Sequence, residues 1–173
     1  MTPRVETERL ILRERRLEDF PQFAAIWGDP KVARFTTVNP LSEEDAWTKF
    51  ARMQGWWSLC GYGFWLVEEK ATRAVIGEVG MADFKRAITP SLEGMPEYGW
   101  VIASGAQGKG YASEALGTAL SWGAEKFPGQ TSCCIIDPAN APSIRVAEKH
   151  GFKRAATSSY KGADIAIFHR PPD

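Results

Sequence analysis

Apolar residues recur along the chain with two periods, and the switches between them mark out the elements. Over residues 8–13, Leu10 and Leu12 alternate against Arg9, Ile11 and Arg13, which predicts a strand. Phe20, Phe23, Ala24 and Trp27 return at three and four residues, so 17–27 reads as a short helix that Asp29-Pro30 ends. Ser42 stands as an N-cap with Asp45 three residues on, a variant of the capping box. Ala46, Trp47, Phe50, Met53 and Trp57 share one face after it, giving a helix over 43–59 that Gly61-Tyr62-Gly63 breaks. Trp47 is expected in the core, whereas Trp57 stays open between the core and a ligand-facing position. Residues 64–69 and 74–84 read as strands with a hairpin-like link, 86–96 as a loop, and 97–103 as another strand. The smooth face of Ala112, Ala115, Leu116, Ala119, Leu120 and Gly123 predicts a helix over 110–126. A buried strand follows at 132–136, then a helix over 142–150 with Pro142 in its first turn and Gly151 at its end. Strands at 152–158 and 165–169 close a mixed α/β layout, whose strand–helix–strand crossover spans 97–136.

Size narrows this layout to a single domain over residues 1–173. With 44% hydrophobic and 24% charged residues, the composition is that of an ordinary soluble globular protein rather than a disordered one. Lys+Arg and Asp+Glu both number 21, and this balance argues against a nucleic-acid binder while leaving room for a local basic pocket. No run of about 18 apolar residues predicts a membrane span, and Met1 to Glu6 show no charged-then-apolar export pattern. The three cysteines, Cys60, Cys133 and Cys134, fit a reduced cytoplasm, and Cys133 and Cys134 read as core. With only His150 and His169, and no CxxC or HExxH spacing, no metal site is expected.

The candidate chemistry begins at the turn Gln107-Gly108-Lys109-Gly110-Tyr111-Ala112, between a strand and the most regular helix. A helix's first turn carries unpaired N–H groups and partial positive charge, so it suits an anion. Glycine lets backbone approach a diphosphate without a Cβ in the way, and Lys109 adds charge. A P-loop fails here twice, because Gly108-Lys109 is followed by Gly110 and the earlier glycine position is Ala103. A dinucleotide GxGxxG fails at Ser113. The pattern Q/R-x-x-G-x-G/A is met in full by Gln107, Gly110 and Ala112. A turn whose glycines only satisfy geometry is the alternative.

These residues resemble the GNAT superfamily of acetyl-CoA-dependent N-acetyltransferases, and the likeness runs over nearly the whole chain. Glu6-Thr7-Glu8-Arg9-Leu10-Ile11-Leu12-Arg13 is similar to the first strand of the branch that acetylates ribosomal-protein N-termini and related amines. Glu97-Tyr98-Gly99-Trp100-Val101-Ile102 with Gln107 to Ala112 resembles that branch's fourth strand and cofactor loop. Asn140-Ala141-Pro142-Ser143, Val146, Glu148-Lys149 and Gly151-Phe152 resemble its second cofactor motif. The resemblance implies a mostly antiparallel central sheet of about six or seven strands, splayed at the cofactor site and flanked by about four helices. It implies acetyl-CoA as co-substrate, held at its diphosphate by loop amides over Gln107, Gly108, Lys109, Gly110, Tyr111, Ala112 and Ser113, and at its pantetheine arm by the backbone of Trp100, Val101 and Ile102.

Side-chain roles follow from that frame. Asn140 can bond a pantetheine amide or act as a turn or cap residue. Ser143 can reach the thioester sulfur or bond back to its helix. Arg145 and Lys149 share a face that is expected to be solvated, with contact to the adenosine 3′-phosphate of the cofactor as the alternative. Acyl transfer needs a neutral amine, whereas an alkyl amine of pKa ~10 is mostly protonated at neutral pH, so a carboxylate must accept the proton. Glu97 is the candidate base, with a plain strand-end carboxylate as the alternative and Asp83 and Glu78 in reserve. Where many family members carry a proton-donating Tyr, seven residues after the motif asparagine, this chain has Ala147, leaving Ser143 or water as acid. His150 reads as a helix C-terminal cation. The acceptor amine is expected beside Phe35, Trp56, Trp57, Tyr62 and residues 86–96. Protein N-termini, free amino acids, polyamines and antibiotic-like amines all stay open as acceptors, as does a homodimer. The rival readings are a CoA-binding sensor without turnover and, from the loop alone, a nucleotide-dependent switch.

Overall fold

A computed structural model describes residues 1–172. Eight strands form one sheet in the order β1-β2-β3-β4-β5-β6-β8-β7. They are β1 (Val5–Glu6), β2 (Leu10–Arg13), β3 (Phe64–Glu69), β4 (Val75–Ala82), β5 (Glu97–Ile102), β6 (Ser132–Ile136), β7 (Lys153–Tyr160) and β8 (Ala163–Arg170). The helices are α1 (Phe20–Trp27), α2 (Pro30–Ala33), α3 (Glu43–Cys60), α4 (Tyr111–Lys126) and α5 (Ala141–Lys149). This is the mixed, mostly antiparallel architecture that the sequence predicts, with one more strand and one more helix. The extra strand, β1, is two residues long and pairs Val5 with Leu12 and Glu6 with Ile11. The extra helix, α2, starts where the sequence reads a stop: the Asp29 carboxylate accepts from the Lys31 amide at 2.8 Å and caps a new turn. The β7–β8 hairpin is longer than expected, because Lys161 and Gly162 both take positive φ (52° and 80°) and close it tightly.

Every strand pair is antiparallel except β5–β6, which is parallel and joined in register only at Glu97 and Cys133. Beyond that point the two strands part, so the β6 side of Trp100, Val101 and Ile102 is left open while their other side pairs with β4. Alternation along β5 sends Tyr98 and Ile102 to the α4 face, where Leu10, Leu12, Trp65, Val67, Val79 and Met81 make the main core with Leu116 and Leu120. On the opposite face, α1, α2 and Phe50 of α3 pack over Leu66 and Val75.

The buried faces explain two tryptophans. Trp57, 3% exposed, is in the core rather than beside a ligand. Trp47, expected in the core, is not there: it is 45% exposed, one residue off the Ala46–Phe50–Met53–Trp57 stripe, and lies against Phe20 and Phe50. On α4, Gly123 lies where a Cβ would overlap the Tyr98 hydroxyl. Gly123→Ala is therefore expected to cost about 1–3 kcal/mol by overpacking, read as a lower midpoint in urea unfolding.

Candidate active site

The opening between β5 and β6 is one wall of a cleft of about 410 Å³. Trp100, Val101 and Ile102 line it, followed by Gln107, Gly108 and Gly110 of the turn and Tyr111, Ala112 and Ser113 of the first turn of α4. Asn140, Ser143, Arg145 and Lys149 approach from α5, and Lys31, Val32, Phe35 and Thr36 from α2 and the turn after it. The structure thus gathers every proposed cofactor-binding residue except Lys109, whose carbonyl accepts from Arg9 Nη1 at 2.8 Å.

The turn has the shape an anion needs. Gly108 and Gly110 both adopt left-handed φ (77° and 82°), and a Cβ on Gly108 would meet nothing within 4 Å, so that side is open. The first α4 amide bonded back to the turn is that of Glu114, to the Gly110 carbonyl at 3.1 Å; the amides before it belong to the helix's unsatisfied first turn. Lys31, Arg145 and Lys149 are the charged residues of the lining, which holds no carboxylate. Arg145 and Lys149 are exposed, as expected of a solvated face, and they also border the cleft. A cleft with three cations, open amides and a free strand edge fits an anionic, amide-bearing ligand such as CoA.

Side chains hold this arrangement from behind. Gln107 Nε2 donates to the Ile102 carbonyl at 2.9 Å, tying the turn back to β5. Asn140 Oδ1 accepts from the Ser143 amide at 3.3 Å, so Asn140 caps α5 and lines the cleft as well. Arg9, which the sequence reading passed over, bonds Glu114 at 2.7 Å and the Lys109 carbonyl, and its guanidinium lies 4.6 Å from the Tyr111 ring centroid. Its signal was present in the opening strand, but its partners lie 100 and more residues away. Ser104 donates to Asp29, linking the turn after β5 to the start of α2.

Glu97 does not line this cleft. Its carboxylate is 5% exposed and paired with Arg86 through two bonds of 2.7 and 2.8 Å. It opens on a separate recess of about 220 Å³, together with Asp83, Phe84, Lys85, Arg86 and Glu93. Burial pushes the Glu97 carboxyl above its ordinary range, against the pull of Arg86. Glu78 lies opposite Val101 on β4, but Arg15 and Lys49 enclose it and it is 2% exposed.

Other expectations change. His150 is half-buried at the end of α5, with its Nε2 2.9 Å from Ser113 Oγ. Burial pulls its pKa down, which opposes the role of a simple helix-end cation. Ala147 is fully buried. Of the aromatic residues expected around the acceptor, Phe35 lines the cleft, Trp56 packs edge-on to Phe84, Trp57 is core and Tyr62 packs on Phe127. Cys133 and Cys134 are buried, which pushes Cys133 up to about 12 and suppresses its thiolate. Among the described residues, no group of three or more His, Cys, Asp or Glu is placed to hold a metal ion, and no helix is long and apolar enough to cross a membrane.

Comparison with known proteins agrees with this geometry. The family model of an acetyltransferase (GNAT) domain matches residues 9–153. An uncharacterized N-acetyltransferase, p20, of Bacillus licheniformis is 28% identical over 149 residues, covering 86% of this chain and 81% of its own. The structure of an acetyltransferase from Agrobacterium tumefaciens str. C58 superposes with a TM-score of 0.81 at 25% identity, covering 96% of this chain and 93% of that one. The ribosomal-protein-S5-alanine acetyltransferase of Vibrio fischeri shares the fold, with a TM-score of 0.74 at 16% identity over 99% of this chain and 97% of its own.

Proposed function

The chain belongs to the GNAT acetyltransferase family, whose members take acetyl groups from acetyl-CoA, and we propose that its single domain moves that group directly onto a primary amine. The observation that carries this reading is the open β6 side of Trp100 to Ile102, leading into the glycine turn. Acetyl-CoA supplies the activated acetyl thioester. The amides of 108–113 bind the diphosphate, with Lys31, Arg145 and Lys149 adding charge. The edge of β5 and the Asn140 side chain bind the amides of the pantetheine arm. Backbone donors of β5 stabilise negative charge on the carbonyl oxygen under attack.

Glu97 accepts the proton of the incoming ammonium. It lies on the same face of β5 as Val101, four residues and about 13 Å along the strand, so the proton has to travel along a chain of several waters rather than one. Glu78 is closer to Val101, but its carboxylate opens on neither the cleft nor the recess, whereas that of Glu97 does open on the recess. Ser143, on the cleft wall, or water protonates the departing thiolate, since buried Ala147 offers no proton. Buried Cys133 and Cys134 offer no acyl-cysteine route, which favours direct transfer in a ternary complex. The acceptor is a protein N-terminus or a small-molecule amine, entering from the side of Phe35 and the 82–97 recess.

Thiol release from acetyl-CoA with a panel of peptides, amino acids, polyamines and antibiotic-like amines tests the reading. Tight CoA binding with no thiol released on any of them overturns it. Glu97→Gln is expected to lower kcat about 10²-fold while CoA affinity stays within about twofold. The acidic limb of wild-type activity should lie above the ordinary glutamate range, because the active form is the carboxylate and burial raises its pKa. A variant that matches wild type from pH 6 to 9 would remove Glu97 as the base.

A further inference from the structure

We propose that Ser113 and His150 form a proton-linked phosphate contact: Ser113 donates its hydroxyl proton to the cofactor's diphosphate, and His150 backs Ser113 through Nε2 and takes up a solvent proton as the ligand binds. This inference rests on the acetyl-CoA reading above and adds a coupling to it.

The geometry is specific. Ser113 lines the cleft in the first turn of α4, and its Oγ lies 2.9 Å from His150 Nε2. The imidazole reaches it across Gly117, one turn further along α4, where a Cβ would come within 3.0 Å of the ring Cε1. A larger residue at 117 would push the ring off Ser113.

A hydroxyl has one proton to give. With no anion present, Ser113 can give it to Nε2 of a neutral imidazole. When a diphosphate lies at the start of the helix, that proton turns towards the anion, and Nε2 keeps its bond only by presenting an N–H of its own, as the neutral Nε2–H tautomer or as the imidazolium. The negative charge nearby favours the imidazolium of the two, with the added proton drawn from solvent.

Burial sets the direction and disfavours protonation; the Ser113 contact works against this effect, and Lys149 from α5 and Arg170 from β8 add to it. Arg170 Nε donates to the His150 carbonyl at 2.9 Å. Arg145 and Lys31 add positive charge across the cleft. From α4, Glu114 follows Ser113, but its carboxylate is engaged by Thr7 and Arg9. Together, burial first and the cations after it, these favour the neutral ring in the free protein. The bound diphosphate offsets them. The His150 pKa is therefore lower free than bound, and affinity strengthens as pH falls through the interval between the two values. Above the bound value, the histidine adds no charge.

Calorimetric titration of CoA into wild type and His150→Gln, from pH 5.5 to 8.5 in buffers of different ionisation enthalpy, tests this. Glutamine retains an N–H donor and cannot be charged. Near pH 6, wild type should take up a fraction of a proton more per CoA than the variant and bind about fivefold to tenfold more tightly, the two converging at pH 8.5. The difference should persist with dephospho-CoA, which keeps the diphosphate and lacks the 3′-phosphate; its loss there overturns the diphosphate assignment. Ser113→Ala should abolish the extra uptake. In wild type alone, the imidazole resonances of His150 should titrate at higher pH with CoA bound than without. Equal uptake in both proteins and an unmoved His150 titration overturn the proposal while leaving the acetyl-CoA reading intact. Absence of CoA binding to wild type overturns both.

Discussion

Gly110→Trp is expected to abolish CoA binding, with affinity falling at least about 100-fold in calorimetry. Two effects act together. Gly110 has a φ of 82°, a region where a side chain's Cβ crowds the backbone at a cost of about 1–2 kcal/mol. An indole there also occupies the space beside the first-turn amides, and losing two charge-assisted hydrogen bonds at about 1.5–3 kcal/mol each accounts for the expected factor. The Arg9 guanidinium, 3.4 Å from where the Cβ would stand, blocks one direction of escape. A circular-dichroism melt within a few degrees of wild type shows that the fold survives. Unchanged CoA affinity in a folded variant would remove the turn from the site.

Arg13→Met is expected to be the most destabilising single change, at about 3–5 kcal/mol in urea unfolding. Arg13 is 5% exposed and joins three segments. It bonds both oxygens of Asp19 at 2.8 and 2.7 Å and Glu68 at 2.5 Å. Methionine fills a similar volume but removes the cation shared by two buried carboxylates, leaving Glu68 with Arg73 and Asp19 with the Arg16 amide. The pH dependence identifies the cause. Burial pushes the Asp19 carboxyl up, but the Arg13 and Arg16 bonds outweigh it and hold the group below its ordinary value. Its stabilising effect is therefore present above the unfolded pKa of about 3.9 and is lost as pH falls through the folded value. The gap between variant and wild type should narrow below about pH 4. A gap constant with pH would assign the loss to packing instead.

The elements legible in the sequence were those whose pattern repeats within the element. α3 and α4 carry their apolar stripes over several turns, and β3, β5 and β6 fall within a residue of their predicted bounds. β1, with two residues, is too short to show a period. Asp29-Pro30 is ambiguous in principle, since the pair that stops one helix also caps the next. The glycine turn was readable because its pattern is local: six of the seven residues over 107–113, all but Lys109, line the cleft. What could not be read was whatever the fold brings together from afar. Arg9 meets Lys109 across 100 residues, and His150 meets Ser113 across 37. The Arg86 clamp on Glu97 comes from a segment that reads only as loop.

The one rung between β5 and β6 divides the sheet into two panels, five strands on one side and three on the other. Each panel is laddered within itself, and a single backbone rung joins the two. On the proposed function, a ligand arm laid into the seam between them would stitch the panels together as a missing piece of framework, and ligand concentration would then set how firmly the two halves hold.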